Sequence, residues 1–220
     1  MLTPDEIKIF SLCAPHLPGY PVVFDVGAYK GRYTDMVLAI FPIVQYYLFE
    51  PNESLCIELK KYRAPHRVYN IALSQAKGGL PFYRCIGKAD ELSSTYKREI
   101  FSEVEHVEES KPCTSVDIFC KENDIHRIDF LKIDVEGAEF DVLKGSEEML
   151  RKNFIKFIQV EYGGTYKDSG ITFIDVIKFA YSFGYWIYEL IENKLVKVKA
   201  TTFIEDYRFT NFLITCHDFK

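Results

Sequence analysis

The sequence predicts a doubly wound α/β fold, a mostly parallel seven-stranded sheet with an antiparallel last strand, and three observations carry that expectation. Short apolar, β-rich runs alternate with stretches of helical periodicity along most of the chain, a glycine turn follows directly on the first run, and the tail shows hairpin-like alternation. Strands that alternate with helices at this spacing build parallel sheets, in which ligands sit beyond the carboxyl ends of the strands.

Taken in order, Thr3-Pro4-Asp5-Glu6 is a helix start, with Thr3 as N-cap, Pro4 at the first helical position and Glu6 closing a capping box. That helix runs to about Ala14, and Pro18, Gly19 and Pro21 punctuate the chain after it. Val22 to Val26 is the first strand, followed by Gly27 and a helix from about Tyr33 to Phe41. Gln45 to Phe49 is the second strand, Glu53 to Tyr62 a helix, and Arg67 to Ala72 the third strand. Gly78-Gly79 opens a short strand, Leu80 to Cys85. From Ile86 to Lys111 apolar density falls while Glu103, Glu105, Glu108 and Glu109 accumulate, so residues 86–114 read as a lid or loop insertion. A helix over Ser115 to Lys121 precedes the fourth parallel strand, Ile128 to Asp134, and a further helix starts near Ala138. Lys156 to Glu161, a helix from Phe173 to Phe183, and Tyr185 to Ile191 follow; Leu195 to Val198 and Phe209 to Thr215 close the sheet. The whole is Rossmann-like. One domain, 1–220, accounts for the chain, with 1–20 as an N-terminal helix extension.

Composition bounds the function. With 48% hydrophobic and 15% aromatic residues the chain has ample core material, and a domain of this size needs no disulfide staples. The balance of 27 Lys and Arg against 32 Asp and Glu, net −5, argues against a nucleic-acid partner held by bulk positive charge. Six cysteines without C-x-x-C spacing, and an acidic start with no apolar leader, suit a cytoplasmic protein. The longest apolar stretch, Met36 to Phe49, is broken by Pro42 and Gln45 and falls short of the ~20 residues a spanning helix requires, so no membrane span is expected. The five histidines fall at helix ends, in loops or in the tail, and no Gly-x-Ser-x-Gly elbow is present, which disfavours a hydrolase.

Chemistry concentrates at three strand ends. Asp25-Val26-Gly27-Ala28-Tyr29-Lys30-Gly31 offers a glycine for a tight turn and a second at the helix start. Asp25 would repel a pyrophosphate but suits a cationic ammonium such as that of S-adenosylmethionine, and Gly-x-x-x-Gly departs from the dinucleotide fingerprint. Glu50, nineteen residues past Gly31, is placed to accept both hydroxyls of a ribose. Asn70-Ile71-Ala72 ends the third strand, where small residues admit an adenine ring. In Leu131 to Glu139, a period of two puts Lys132, Asp134 and Glu136 on one side of a central strand; buried, they must pair or bind a cation, with Glu161 adjacent.

These residues resemble the FkbM-type methyltransferases of the class I S-adenosylmethionine-dependent fold. The resemblance rests on Phe24-Asp25-Val26-Gly27-Ala28 with Gly31, Phe49-Glu50-Pro51, Asn70 to Ser74, Ser93-Ser94, Ser115-Val116-Asp117, and above all Ile128 to Glu139 with Leu143-Lys144-Gly145. It implies an O-methyltransferase acting on a hydroxyl of a glycan, glycolipid or related natural product. By position, Asp25, Gly27, Ala28 and Gly31 would hold the methionine end, Glu50 the ribose, Asn70 and Ala72 the adenine, with Ser94 over the cofactor or acceptor. Asp134, Glu136, Glu161 and Lys132 are the candidates for the reaction centre. Tyr29-Lys30 departs from the small polar pair common in the family, and Val116 from the usual Leu.

Methyl transfer is an in-line displacement, so the acceptor oxygen must be held roughly 3 Å from the methyl. Either a carboxylate, Asp134 or Glu136, takes the hydroxyl proton, or Asp134, Glu136 and Glu161 hold a divalent cation such as Mg²⁺ that acidifies the acceptor. Two other classes stand beside this one: an NAD-dependent oxidoreductase, suggested by Glu50 and the sheet, and a non-catalytic binding module. The expected partner is a small-molecule or glycan acceptor, and the expected state a monomer or homodimer.

Overall fold

The computed structural model describes residues 4–60, 66–75, 77–98 and 104–219. The strands are β1 (Val22–Val26), β2 (Gln45–Phe49), β3 (Arg67–Tyr69), β4 (Ala72–Leu73), β5 (Gly78–Cys85), β6 (His106–Thr114), β7 (Ile128–Ile133), β8 (Ile155–Tyr162), β9 (Trp186–Ile191), β10 (Lys194–Val198) and β11 (Thr210–Thr215). The helices are α1 (Pro4–Cys13), α2 (Arg32–Ile40), α3 (Glu53–Leu59), α4 (Val116–Glu122), α5 (Glu139–Lys144), α6 (Glu147–Arg151), α7 (Tyr166–Ser169) and α8 (Phe173–Ser182). Thr3, the expected N-cap of α1, lies outside the described residues.

The main sheet has the order β10-β9-β11-β8-β7-β1-β2-β3. Strands β3, β2, β1, β7 and β8 run parallel, and β11 inserts antiparallel between β8 and β9. The mixed α/β sheet is therefore the expected one, enlarged by an eighth strand. The tail runs do not pair with each other: β10 folds back on β9 through a two-residue turn, Glu192-Asn193, both at positive φ, while β11 crosses to the interior. Two successive left-handed residues match the twist of a tight hairpin.

Three further differences have local causes. The third strand stops at Tyr69 because the Asn70 amide donates to the carbonyls of Glu50 (2.8 Å) and Pro51 (3.0 Å), which turns the chain out of the sheet. Ala72–Leu73 then joins a second sheet, β4-β6-β5. Residues 106–114, expected within a lid or loop, form strand β6 against β5. Its two acids are consecutive and lie on opposite faces: Glu108 is exposed, while Glu109 pairs with Arg84 at 2.7 Å and with Lys111 at 2.8 Å.

The sheet separates two apolar cores. One, on the α4, α5 and α8 side, contains Phe24, Val26, Leu131, Ile133, Val160 and Phe212; the other, under α1 and α2, contains Val23, Tyr33, Phe130, Phe157 and Leu213. Alternation along β1, β7, β8 and β11 therefore puts Asp25, Lys132, Gln159 and Asn211 on the second side. These buried polar groups are bonded to one another: Tyr33 donates to Gln159 at 3.0 Å and Gln159 to Asn211 at 3.0 Å. A satisfied polar layer of this kind is tolerated inside a core, whereas an unsatisfied one costs about 1–3 kcal/mol per group. Among the described residues, no helix is long and apolar enough to cross a membrane.

Candidate active site

A cavity of about 380 Å³ opens beyond the carboxyl ends of β1, β2 and β7. Its floor is the turn after β1. Gly27 has φ +79°, and a Cβ there would fall 1.8 Å from the carbonyl oxygen of Asp134, so only glycine permits this approach of the two strand ends. The Gly27 and Ala28 amides donate to Phe49 O, at 3.0 and 3.1 Å, which locks the turn onto β2.

Glu50 ends β2 at the cavity wall. Its carboxylate accepts from the backbone N–H groups of Tyr29 (2.9 Å) and Asn52 (2.8 Å) and is almost fully buried. Burial outweighs those bonds and pushes its pKa up to about 7. Two accepted bonds leave lone pairs free, since an ionised carboxylate offers about four acceptor sites. Ala72 lines the far wall and Ser93-Ser94 the roof. Ser94 is pinned by bonds between its backbone and that of Tyr83, and its hydroxyl donates to Val135 O at 3.1 Å. Across the mouth, the Tyr29 hydroxyl donates to Asp90 Oδ1 at 2.6 Å and Lys30 pairs with Asp90 at 3.1 Å, so the unusual Tyr29-Lys30 pair clasps the roof segment.

Lys132 is the hub beneath. Its ammonium lies 3.3 Å from Asp25, 3.1 Å from Asp134 and 3.3 Å from Gly27 O, and it sits over the Tyr33 ring. Burial alone would lower its pKa, but Asp134 and Asp25 hold it well above the ordinary value. Asp25 is fully buried, is bonded by Thr34 at 2.8 Å, and does not line the cavity; Gly31 and Asn70 do not line it either. Lys132 and Thr34 take the Asp25 carboxylate, and the Asn70 amide is turned to the backbone of Glu50 and Pro51.

Asp134, Glu136 and Glu161 converge: one carboxylate oxygen from each lies within 4.8 Å of the others. Burial and the charge of Asp134 push Glu136 up to about 8, and the same causes push Glu161 well above its ordinary value. Among the described residues, Glu136 Oε2 is buried without a hydrogen-bond partner. The Glu136 backbone is left-handed, φ 58°, and its carbonyl accepts from Arg98, whose guanidinium also pairs with Asp168 at 3.0 Å and lies 3.8 Å from Glu136 Oε2. Glu139 holds the loop from inside, accepting from Val135 (2.9 Å) and Gly137 (3.0 Å). Arg98, Asp168 and Phe209 escaped the sequence reading, and Glu139 was part of its motif without a role. Arg98 sits in a stretch of low apolar density and Phe209 in the tail, with no motif to mark either one.

Residues 25–187 match the model of the methyltransferase FkbM domain. The 2-O-methyltransferase NoeI of Sinorhizobium fredii (strain NBRC 101917 / NGR234) is 29% identical over 155 residues, which are 64% of this chain and 63% of NoeI, so the chain aligns with less than two thirds of that relative. Among solved structures, a SAM-dependent methyltransferase from Agrobacterium tumefaciens superposes with a TM-score of 0.50 at 10% identity, over 97% of this chain and 62% of that one, a likeness of fold. Precorrin-6y C5,15-methyltransferase from Geobacter metallireducens GS-15 is a more distant likeness, with a TM-score of 0.46 at 9% identity over 97% of this chain and 89% of that one.

Proposed function

Because the chain belongs to the FkbM methyltransferase family, we propose that it transfers a methyl group from S-adenosylmethionine to a hydroxyl of a glycan, glycolipid or related natural product. One observation carries this reading: the wall built by Gly27, Ala28 and Glu50 and the convergent carboxylates of Asp134, Glu136 and Glu161 face the same cavity. Membership in a methyltransferase family removes the ground for a nicotinamide oxidoreductase. The 2-O specificity in the name of NoeI is that of a hydroxyl on a numbered carbon framework, which supports a polyhydroxylated acceptor.

The residues fit the cofactor. Glu50 retains acceptor capacity at the cavity, as ribose hydroxyls require, Gly27 keeps the floor free of a side chain, and Ala72 leaves room at the adenine wall. Bound S-adenosylmethionine supplies an electrophilic methyl on a cationic sulfonium. The protein's part is to hold the acceptor oxygen in line and to take its proton. Glu136 is the strongest candidate for that base: it lines the cavity beside Asp134 and Glu161, and a pKa of about 8 puts its proton affinity near that of neutral solution, where a general base works best. Arg98 anchors its backbone, and Lys132 orients Asp134.

A second reading is favoured by the spacing of the three carboxylates, which would hold Mg²⁺ through one oxygen each. A cation there would relieve their mutual repulsion and acidify the acceptor. Purified protein, tritiated S-adenosylmethionine and a panel of glycosides test both. Transfer unaffected by EDTA counts against the metal, and full activity in both Asp134→Asn and Glu136→Gln rejects carboxylate participation. A well-folded sample that does not bind S-adenosylhomocysteine by calorimetry overturns the reading and leaves a binding module.

A further inference from the structure

We infer that Phe209 is the acceptor-binding platform of this enzyme, a flat aromatic face on which an uncharged sugar ring stacks while its hydroxyls meet the carboxylates beside it. The inference rests on the methyltransferase reading above and adds to it the residue that selects the acceptor.

Phe209 lines the cavity, yet 58% of its surface is open to solvent. The other side of the ring is seated: a Cβ on Gly163 would fall 2.6 Å from it, so the glycine just past β8 is what lets the ring rest on the backbone. The segment that presents it is fixed. Glu205 accepts from the Tyr162 hydroxyl and from the Ile174 N–H, both at 2.9 Å, and Tyr207 N–H donates to the Tyr162 hydroxyl at 2.9 Å. An exposed aromatic on a floppy tail would be unremarked surface, whereas one held at the rim of a cavity by buried partners is a preorganised face.

Register places it beside the reacting groups. Asn211 on β11 opposes Glu161 on β8, and the antiparallel ladder continued by two residues brings Phe209 to Gly163, on the same side of the sheet as Glu161. A ligand on the open ring face therefore lies against the carboxylate cluster. The two features select the same chemistry. The negative face of an aromatic ring attracts the C–H bonds on one side of a pyranose, and carboxylates accept from the hydroxyls at its edge. The crowded acids Asp134, Glu136 and Glu161 disfavour phosphate, sulfate or uronate beside the ring.

The test uses the wild-type chain, Phe209→Ala and Phe209→Trp. Each is loaded with S-adenosylhomocysteine for saturation-transfer NMR, and with the tritiated cofactor for transfer, against neutral methyl hexosides, 6-deoxyhexosides and N-acetylhexosaminides and a methyl uronate as charged control. We expect neutral glycosides to receive saturation and methyl, and the uronate neither. Phe209→Ala should raise the glycoside KM roughly tenfold or more with kcat little changed, the pattern of lost acceptor binding, and Phe209→Trp should retain the wild-type KM. Unchanged affinity for S-adenosylhomocysteine in Phe209→Ala separates this from a structural defect; a parallel loss of that affinity overturns the platform. Transfer to a glycoside with unaltered KM in Phe209→Ala overturns the platform alone. No transfer to any glycoside, and no saturation of any, overturns both the platform and the acceptor class on which it rests.

Discussion

Lys132→Met is the most informative single change, because it removes the buried cation while keeping a side chain of similar length and apolar volume. In the native chain this ammonium faces Asp25 at 3.3 Å and Asp134 at 3.1 Å. The two carboxylates fare differently without it. The Asp134 side chain is 23% exposed and is rehydrated, so its loss is small. Asp25 is fully buried and among the described residues keeps the Thr34 hydroxyl alone, which leaves an uncompensated charge inside the protein. Removing one partner of a buried pair costs about 3–5 kcal/mol, a large share of the 5–15 kcal/mol typical of a whole domain. Urea unfolding at pH 7 should therefore show a much lower midpoint at similar slope. The Lys132 ammonium, raised above its unfolded pKa, contributes its stability fully below about pH 10, so that pH reads the intact pair. Adding Asp25→Asn to Lys132→Met removes the stranded charge and should restore at least about 1.5 kcal/mol. A Lys132→Met protein within about 1 kcal/mol of wild type, or a cycle additive within about 0.5 kcal/mol, refutes the hub. Collapse of kcat at unchanged stability would instead return Lys132 to the catalytic group in which its sequence position first placed it.

Gly27→Ala combines a left-handed backbone, costing about 1–2 kcal/mol, with a Cβ 1.8 Å from Asp134 O; the floor must shift, and calorimetry should show at least roughly tenfold weaker S-adenosylhomocysteine, an unchanged Kd refuting the close approach. Glu50→Gln turns an amide NH₂ toward one of the two backbone N–H groups, since each carboxylate oxygen takes one, and should weaken the same ligand with no effect on acceptor KM; an acceptor effect instead would move Glu50 out of the cofactor wall. Glu50 and Glu139, near 7, and Glu136, near 8, are raised by burial, so their stabilising contribution is complete below the unfolded value of about 4.3 and is lost as pH rises to about 8, by up to about 1.4 kcal/mol per pH unit for each group. Thermal unfolding should give a higher Tm at pH 5 than at pH 8.5, and a rising Tm across that range contradicts the assignment. A cationic cofactor lowers the same pKa values, so titration at pH 7.5 in buffers of different ionisation enthalpy should report net proton release, and net uptake would count against a cation bound beside these acids.

The parts of the molecule that follow from period and punctuation were legible in the sequence. Val22 to Val26 with Gly27, and Gln45 to Phe49 with Glu50, are each written in consecutive residues, and the strand ends they mark do meet in one cavity. What a strand end carries is visible; which way its side chain is satisfied is not. Asp25 looks like a ligand for an ammonium, and the ammonium it meets is Lys132, 107 positions away on a neighbouring strand. Arg98 shows the converse. Its charge sits in a polar stretch that reads as solvated, yet its guanidinium is buried against Asp168 and Glu136, a pairing set only when the roof folds onto β7. The acids of β6 misled for a related reason, since Glu108 and Glu109 are consecutive and fall on opposite faces of the ribbon, which hides the alternation that would mark a strand.

The surplus of carboxylates around the cavity makes sense only with the cations behind them. Lys132 and Arg98 are both buried and each holds an acid of the site, Arg98 from behind Glu136 and Lys132 from the cavity wall beside Asp134. Burial raises the pKa values of Glu50, Glu136, Glu139 and Glu161, and the charge of Asp134 adds to it at the last three. A positive charge brought into such a site favours the ionised form of these acids. On the proposed reaction that charge arrives on the sulfonium and disappears when the methyl leaves, while the acceptor proton passes to a carboxylate already biased to hold it. The same electrostatics therefore favour the cationic donor over its neutral product at the start of each cycle, and oppose any acceptor that brings negative charge of its own.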